Sequence, residues 1–165
     1  MSRYRPPRPR SSPYITPEGY RTLEKELAAL WKKRVEVTTA VTAAAAEGDR
    51  SENAEYIYRK KQLREIDRRI RYLQKRMPDL KLIEKVANED TIYFGAWITL
   101  EREDESEFEY RIVGADEIDS DSSKGYISVD SPLARALLAK QVDDEINFQV
   151  EDEQRTYFVN AIRYR

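Results

Sequence analysis

Leu23, Leu27, Leu30, Val37, Val41 and Ala44 follow one another in steps of four, three, seven, four and three, the rhythm of a coiled-coil seam. Arg34 stands at the position where that seam is interrupted. The run opens at Thr16-Pro17-Glu18, where a capping hydroxyl precedes a proline at the first helical position, and it stops at Gly48. A second seam runs through Tyr56, Leu63, Ile66, Ile70, Leu73 and Met77, with Arg59 at one of its positions and Pro78 closing it. Two amphipathic helices separated by so short a polar turn are expected to run antiparallel. At about 1.5 Å per residue they form a finger roughly 45 Å long with the turn at its far end.

Beyond about Thr91 the period falls to two. Thr91 to Leu100, Glu107 to Val113, Tyr126 to Val129, Ile146 to Val150 and Thr156 to Ile162 alternate Tyr, Ile, Val and Phe with polar residues, and read as strands. Ser131 to Leu138 carries a capping serine, a proline at the first position and apolar residues on one face, which reads as a short helix. The expected class is α+β, a helical hairpin followed by a compact sheet with one helix.

Composition narrows the chemistry. The chain has no cysteine and no histidine, which excludes disulfides, Cys/His zinc sites, thiol nucleophiles and imidazole catalysis. Carboxylates are what remains. No stretch approaches the roughly 18 apolar residues of a membrane span, and Met1 to Arg10 lack the apolar core of a secretory signal, so a cytoplasmic location without membrane contact is expected.

The net charge of -2 conceals an asymmetry. Residues 1–13 hold four Arg and no acid; residues 14–85 hold 17 Lys/Arg against 12 Asp/Glu; residues 86–165 hold 8 against 19. An anionic partner is therefore expected for the first half alone. The Arg/Pro/Ser composition of residues 1–13 has little to bury and reads as a disordered arm.

The turn reads Glu47-Gly48-Asp49-Arg50-Ser51-Glu52-Asn53-Ala54-Glu55-Tyr56. Asp49 and Glu52 have the spacing of a capping box, with Asp49 as N-cap of the second helix and Glu52 three residues on. That is the ordinary reading of such a pair; carboxylates at a protruding turn can also enter another protein's cavity and hold magnesium, a hard cation that takes oxygen ligands. Two carboxylates cannot enclose the ion, so such a site would be shared with a partner. On the second helix Lys60, Arg64, Arg68, Arg71 and Lys75 fall within a stripe roughly 80° wide. Residues 50–77 hold ten Lys/Arg against four Asp/Glu, more than helical pairing neutralises, so phosphate contact is credible beside a merely solvated face. Tyr56 and Tyr58 could stack on a base, although Tyr56 also lies on the seam.

The run Gly48 to Tyr56 resembles the turn motif of the GreA/GreB transcript cleavage factors. The resemblance continues through Leu63 to Leu73, Phe94-Gly95-Ala96-Trp97 and Tyr126 to Leu137, and covers roughly residues 14–165. Arg50, the basic second helix and Ser131-Pro132-Leu133-Ala134-Arg135-Ala136 are similar to the GreB branch. What the resemblance implies is a coiled-coil finger at 14–85, with its tip at 47–55, that enters the secondary channel of bacterial RNA polymerase. It also implies an FKBP-like antiparallel β-sheet domain at 86–165 that docks at the channel rim. The implied partners are the polymerase and the 3′ end of backtracked RNA, met by a monomer. Asp49 and Glu52 would help hold the second catalytic Mg2+, and Arg59, Lys60, Arg64, Arg68 and Tyr56 would contact the RNA. The chain would then be no enzyme itself, but an activator of the polymerase's own cleavage. A channel-binding inhibitor that does not promote cleavage is the alternative. The arm before Tyr14 departs from the family pattern, and the resemblance assigns it no role.

Overall fold

Proline fixes its own φ near the helical value and has no N–H to waste, which suits it to a first helical turn. Helix α1 begins at such a proline and spans Pro17–Ala45. The Thr16 hydroxyl accepts the Gly19 N–H at 3.1 Å, the expected cap. Helix α2 spans Ala54–Arg76, and Pro78 lies in a 3-10 turn, Met77–Asp79, that ends it. The computed structural model describes residues 7–48, 53–84, 86–118 and 124–165.

Pairs between the helices move in opposite directions along the chain. Glu26 meets Arg69, Arg34 meets Asp67, and Ala44 meets Asn53, so α1 and α2 are antiparallel. Val37, Ile66 and Ile70 are buried between them, with Leu27, Leu30, Val41 and Leu63 packed alongside. Arg34 interrupts the seam without a penalty of the kind an unpaired cation would bring, because its Nε donates to Asp67 Oδ1 at 2.6 Å. Arg69 grips both carboxylate oxygens of Glu26, at 2.6 and 3.0 Å.

The second compact unit is built on strands β1 (Tyr14–Ile15), β2 (Lys81–Leu82), β3 (Trp97–Arg102), β4 (Glu107–Val113), β5 (Tyr126–Ser128), β6 (Glu145–Val150) and β7 (Glu153–Arg163). Five of them form a sheet in the order β5-β4-β3-β7-β6. Its core takes alternate strand residues, among them Ile98, Leu100, Ile112, Ile146, Tyr157 and Val159, and Ala134 and Leu137 of helix α3 (Pro132–Leu137) complete it. Ser131 caps α3 by accepting the Ala134 N–H at 3.2 Å.

The expected α+β organisation is found, with four differences in detail. The sheet is mixed, since β5 joins β4 in parallel. A parallel neighbour needs a crossover of about a dozen residues, and the segment between Val113 and Tyr126 supplies one. The expected strand from Thr91 begins only at Trp97. Gly95, at φ 88°, turns the chain just before it, and Thr91 keeps a single bridge to Gln141.

The compact units also divide elsewhere than at residue 85. One is Tyr20–Leu80; the other joins Met1–Gly19 to Lys81–Arg165. The cause is the parallel pairing of β1 with β2, continued by Lys81 N–H to Pro13 O at 2.7 Å and Ile83 N–H to Ile15 O at 3.0 Å. Finally, the expected disordered arm does not reach residue 13, because Ser12 donates its N–H to Asp130 at 2.8 Å and its hydroxyl to the same carboxylate. Residues 1–6 lie outside the described residues.

A carboxylate ties the start of α1 into this unit. Glu117 accepts the Thr16 N–H at 3.1 Å, the Thr16 hydroxyl, and the Gly114 N–H at 2.7 Å. Gly114 must be glycine here, since a Cβ on it would stand 2.0 Å from the Tyr14 carbonyl oxygen.

Candidate functional site at the helical turn

The last carbonyls of a helix and the first N–H groups of the next lack helical partners. Asn53 serves both at the turn. Its Oδ1 accepts the Tyr56 N–H at 3.1 Å, capping α2, and its Nδ2 donates to the Ala44 carbonyl at 2.6 Å, near the end of α1. The same carbonyl accepts the Glu47 N–H at 3.2 Å, so both its lone pairs are used.

Asp49 and Glu52, the expected magnesium ligands, lie outside the described residues. The capping-box alternative for them is removed nonetheless, because α2 begins at Ala54 and Asn53 is its N-cap. Sequence reasoning missed Asn53. The available signal was ordinary: asparagine is among the best N-cap residues, and Ala54-Glu55 after it is a good helical start. Among the described residues no group of three acidic side chains is arranged to hold a metal ion.

The expected RNA-contact residues fall into two kinds. Lys60, Arg64 and Arg68 are exposed, as are Arg71 and Lys75, and none forms an ion pair among the described residues. They form the one-sided stripe that the sequence predicts. Arg59 is engaged within its own helix, donating to Glu55 at 2.8 Å and to Gln62 at 3.1 Å. Tyr56 is half-buried with the Lys60 ammonium 5.3 Å from its ring centre. Together with Val41, Thr42, Ala45 and Ala46 these two residues line an open cleft of about 480 Å³ beside the turn. Tyr58 is 59% exposed, its ring 5.6 Å from the Arg59 guanidinium carbon.

The second unit has a charged cavity of about 370 Å³ whose lining includes Glu18, Glu89, Arg111 and Tyr164. Arg111 is 7% exposed, lies 5.6 Å from the Trp97 ring and 5.9 Å from the Tyr126 ring, and donates to Gly95 O at 3.2 Å and Glu18 at 3.5 Å. Burial alone would raise the Glu18 pKa. Its own backbone N–H, the Arg111 charge and the Thr16 hydroxyl together outweigh that and hold it below the ordinary carboxylate value. Burial raises the Tyr164 pKa, and its neutral hydroxyl donates to Thr91 O at 2.5 Å while accepting the Tyr93 N–H at 2.8 Å. Arg111 and Glu18 thus pair with each other, and the Tyr164 hydroxyl is satisfied by the backbone of Thr91 and Tyr93.

The N-terminal model of a transcription elongation factor family matches residues 13–82, and its GreA/GreB C-terminal model matches residues 87–164. The chain is 54% identical over 166 residues to transcription elongation factor GreB of Pseudomonas aeruginosa, covering 99% of this chain and 98% of that one. It is 53% identical over 156 residues to GreB of Yersinia pestis, covering 93% and 90%. Among solved structures it resembles GreA factor homolog 1 of Thermus thermophilus, with 21% identity, coverage of 91% and 97%, and a TM-score of 0.41. It also resembles the GreA/GreB factor of Nitrosomonas europaea, with 16% identity, coverage of 93% and 100%, and a TM-score of 0.42. Matched by both domain models and more than half identical to a relative over almost its whole length, the chain belongs to the GreA/GreB family of transcription elongation factors.

Proposed function

We propose that this elongation factor inserts its helical turn into the secondary channel of bacterial RNA polymerase and stimulates cleavage of backtracked RNA by the polymerase itself. The observation that carries the reading is the pairing at the turn. Asn53 caps α2 and bonds to α1, so the acidic segment between the helices is free of the capping duty that would otherwise account for it. A cationic stripe without ion pairs among the described residues begins about two helical turns beyond Asn53, at Lys60.

Asp49 and Glu52 offer hard oxygen donors that fit magnesium, and they are too few to enclose it. The remaining ligands would come from the polymerase, and the jointly held ion would supply Lewis acidity toward phosphodiester hydrolysis. The chain's own contribution is position and charge: carboxylates at the turn, cations at Lys60, Arg64 and Arg68 for the extruded phosphates, and Tyr56 beside the terminal base. The factor is then an activator rather than an enzyme, working in the cytoplasm with the polymerase.

A photocrosslinking residue at Glu47, introduced into the full chain and bound to backtracked elongation complexes, tests channel entry. Crosslinks to the RNA 3′ segment and to the polymerase's catalytic region are expected. Crosslinks confined to the polymerase exterior would contradict the reading.

A further inference from the structure

The geometry points to a carboxylate-binding site at the end of the sheet core, between Arg102 of β3 and Arg155 of β7. Arg102 pairs in register with Tyr157, and Arg155 stands two residues before Tyr157 on the same strand. Side chains two apart share a face of a sheet, so both arginines continue the face that carries Leu100, Tyr157 and Val159, where the buried apolar residues end. They line one cavity of about 240 Å³, whose wall also holds Glu103, Asp104 and Tyr157.

Which donors are already spent decides what this cavity can take. The Arg102 guanidinium carbon lies 4.0 Å from the centre of the Phe108 ring. Its Nε is the one buried side-chain nitrogen or oxygen among the described residues that has no hydrogen-bond partner. Arginine cannot shed its charge by losing a proton, so a buried guanidinium N–H calls for an acceptor. Asp104, on the same wall, is engaged elsewhere: it accepts the Ser106 N–H at 3.0 Å and the Ser106 hydroxyl, and these bonds hold its carboxyl below the ordinary value. Arg155 meets Glu153 only at 3.8 Å, too far for a hydrogen bond. A carboxylate offers two oxygens, one for each cation, in the planar geometry that guanidinium groups match. The ligand class is singly charged, because Glu103 and Asp104 on the wall oppose the second charge of a phosphate.

The test is a titration of the full-length, 15N-labelled protein, followed at its arginine Nε–H signals with chloride holding the ionic strength constant. Arg102→Lys keeps the charge but lacks this donor, and identifies the Arg102 signal by its loss. Acetate and N-acetylglutamate amide are the probes, and each should shift that signal saturably. Tighter binding of the second assigns the carboxylate to a protein side chain, and tighter binding of acetate assigns it to a free acid; either supports the site. Arg155→Gln should weaken binding by about 10-fold, the worth of one charge-assisted hydrogen bond. A shift that chloride alone reproduces, one that never saturates, or one untouched by Arg155→Gln overturns the assignment. Saturation by phosphate at a lower concentration than by either carboxylate overturns it too. The titration of the unsubstituted chain stands whether or not the variants fold, and it is independent of any effect on RNA cleavage.

Discussion

The Asn53 side-chain amide donates to the Ala44 carbonyl at 2.6 Å, joining the beginning of one helix to the end of the other by a single residue. Asn53→Ala removes this bond and the α2 cap together. Loss of a cap typically costs about 1 kcal/mol, so thermal unfolding followed by circular dichroism should show a lower midpoint for Asn53→Ala than for Asn53→Asp. Equal midpoints would mean that the cap contributes nothing.

The helical pair is held chiefly by its apolar seam. Ile70 is 4% exposed and sits with Val37 and Ile66, so Ile70→Ala should cost about 2–5 kcal/mol, readable as a shift of the denaturant midpoint. The Arg34–Asp67 pair lies at the helix surface, with side chains 38% and 35% exposed. Its removal should have a small effect that fades with added salt.

The basic stripe and Arg59 should behave differently. Reversing Arg64 and Arg68 to Glu should leave the melting temperature nearly unchanged while weakening action on long backtracked RNA, with a shallower salt dependence as phosphate contacts are lost. Arg59, already bonded to Glu55 and Gln62, should contribute less to that dependence. Titration of cleavage against salt for each variant separates the two.

The folded pKa of Glu18 is held below the ordinary carboxylate value of about 4.5, so the unfolded chain binds its proton first as pH falls. The stabilisation is therefore present above about pH 4.5 and is lost as pH drops through the lower folded value. Urea midpoints should favour the unsubstituted chain over Glu18→Gln at pH 7 and converge as the pH falls below the depressed folded value. A difference that grows on acidification would contradict the Arg111 pairing.

Much of this was legible in sequence for identifiable reasons. The helical seams, the Thr16 and Ser131 caps and the Pro78 stop are local signals, and each is found. What escaped was non-local. Nothing in Tyr14-Ile15 announces a partner at Lys81-Leu82, because two residues show no period, and so the joining of the first residues to the sheet unit is not legible in the sequence. The direction of β5 depends on a crossover rather than on its own residues. At the turn, the acidic pair drew notice through its spacing, whereas Asn53 did not, since an amide that bridges two helices is recognisable only once both are in place.

The most direct test of the central claim is cleavage of end-labelled RNA in stalled, backtracked bacterial elongation complexes, with the unsubstituted chain, Asp49→Asn/Glu52→Gln, and a control lacking polymerase. Magnesium-dependent release of 3′ fragments by the unsubstituted chain alone, and only with polymerase, is the predicted result. Binding to polymerase without cleavage would make the chain a channel-binding inhibitor, and cleavage without polymerase would make it a nuclease; either contradicts the account.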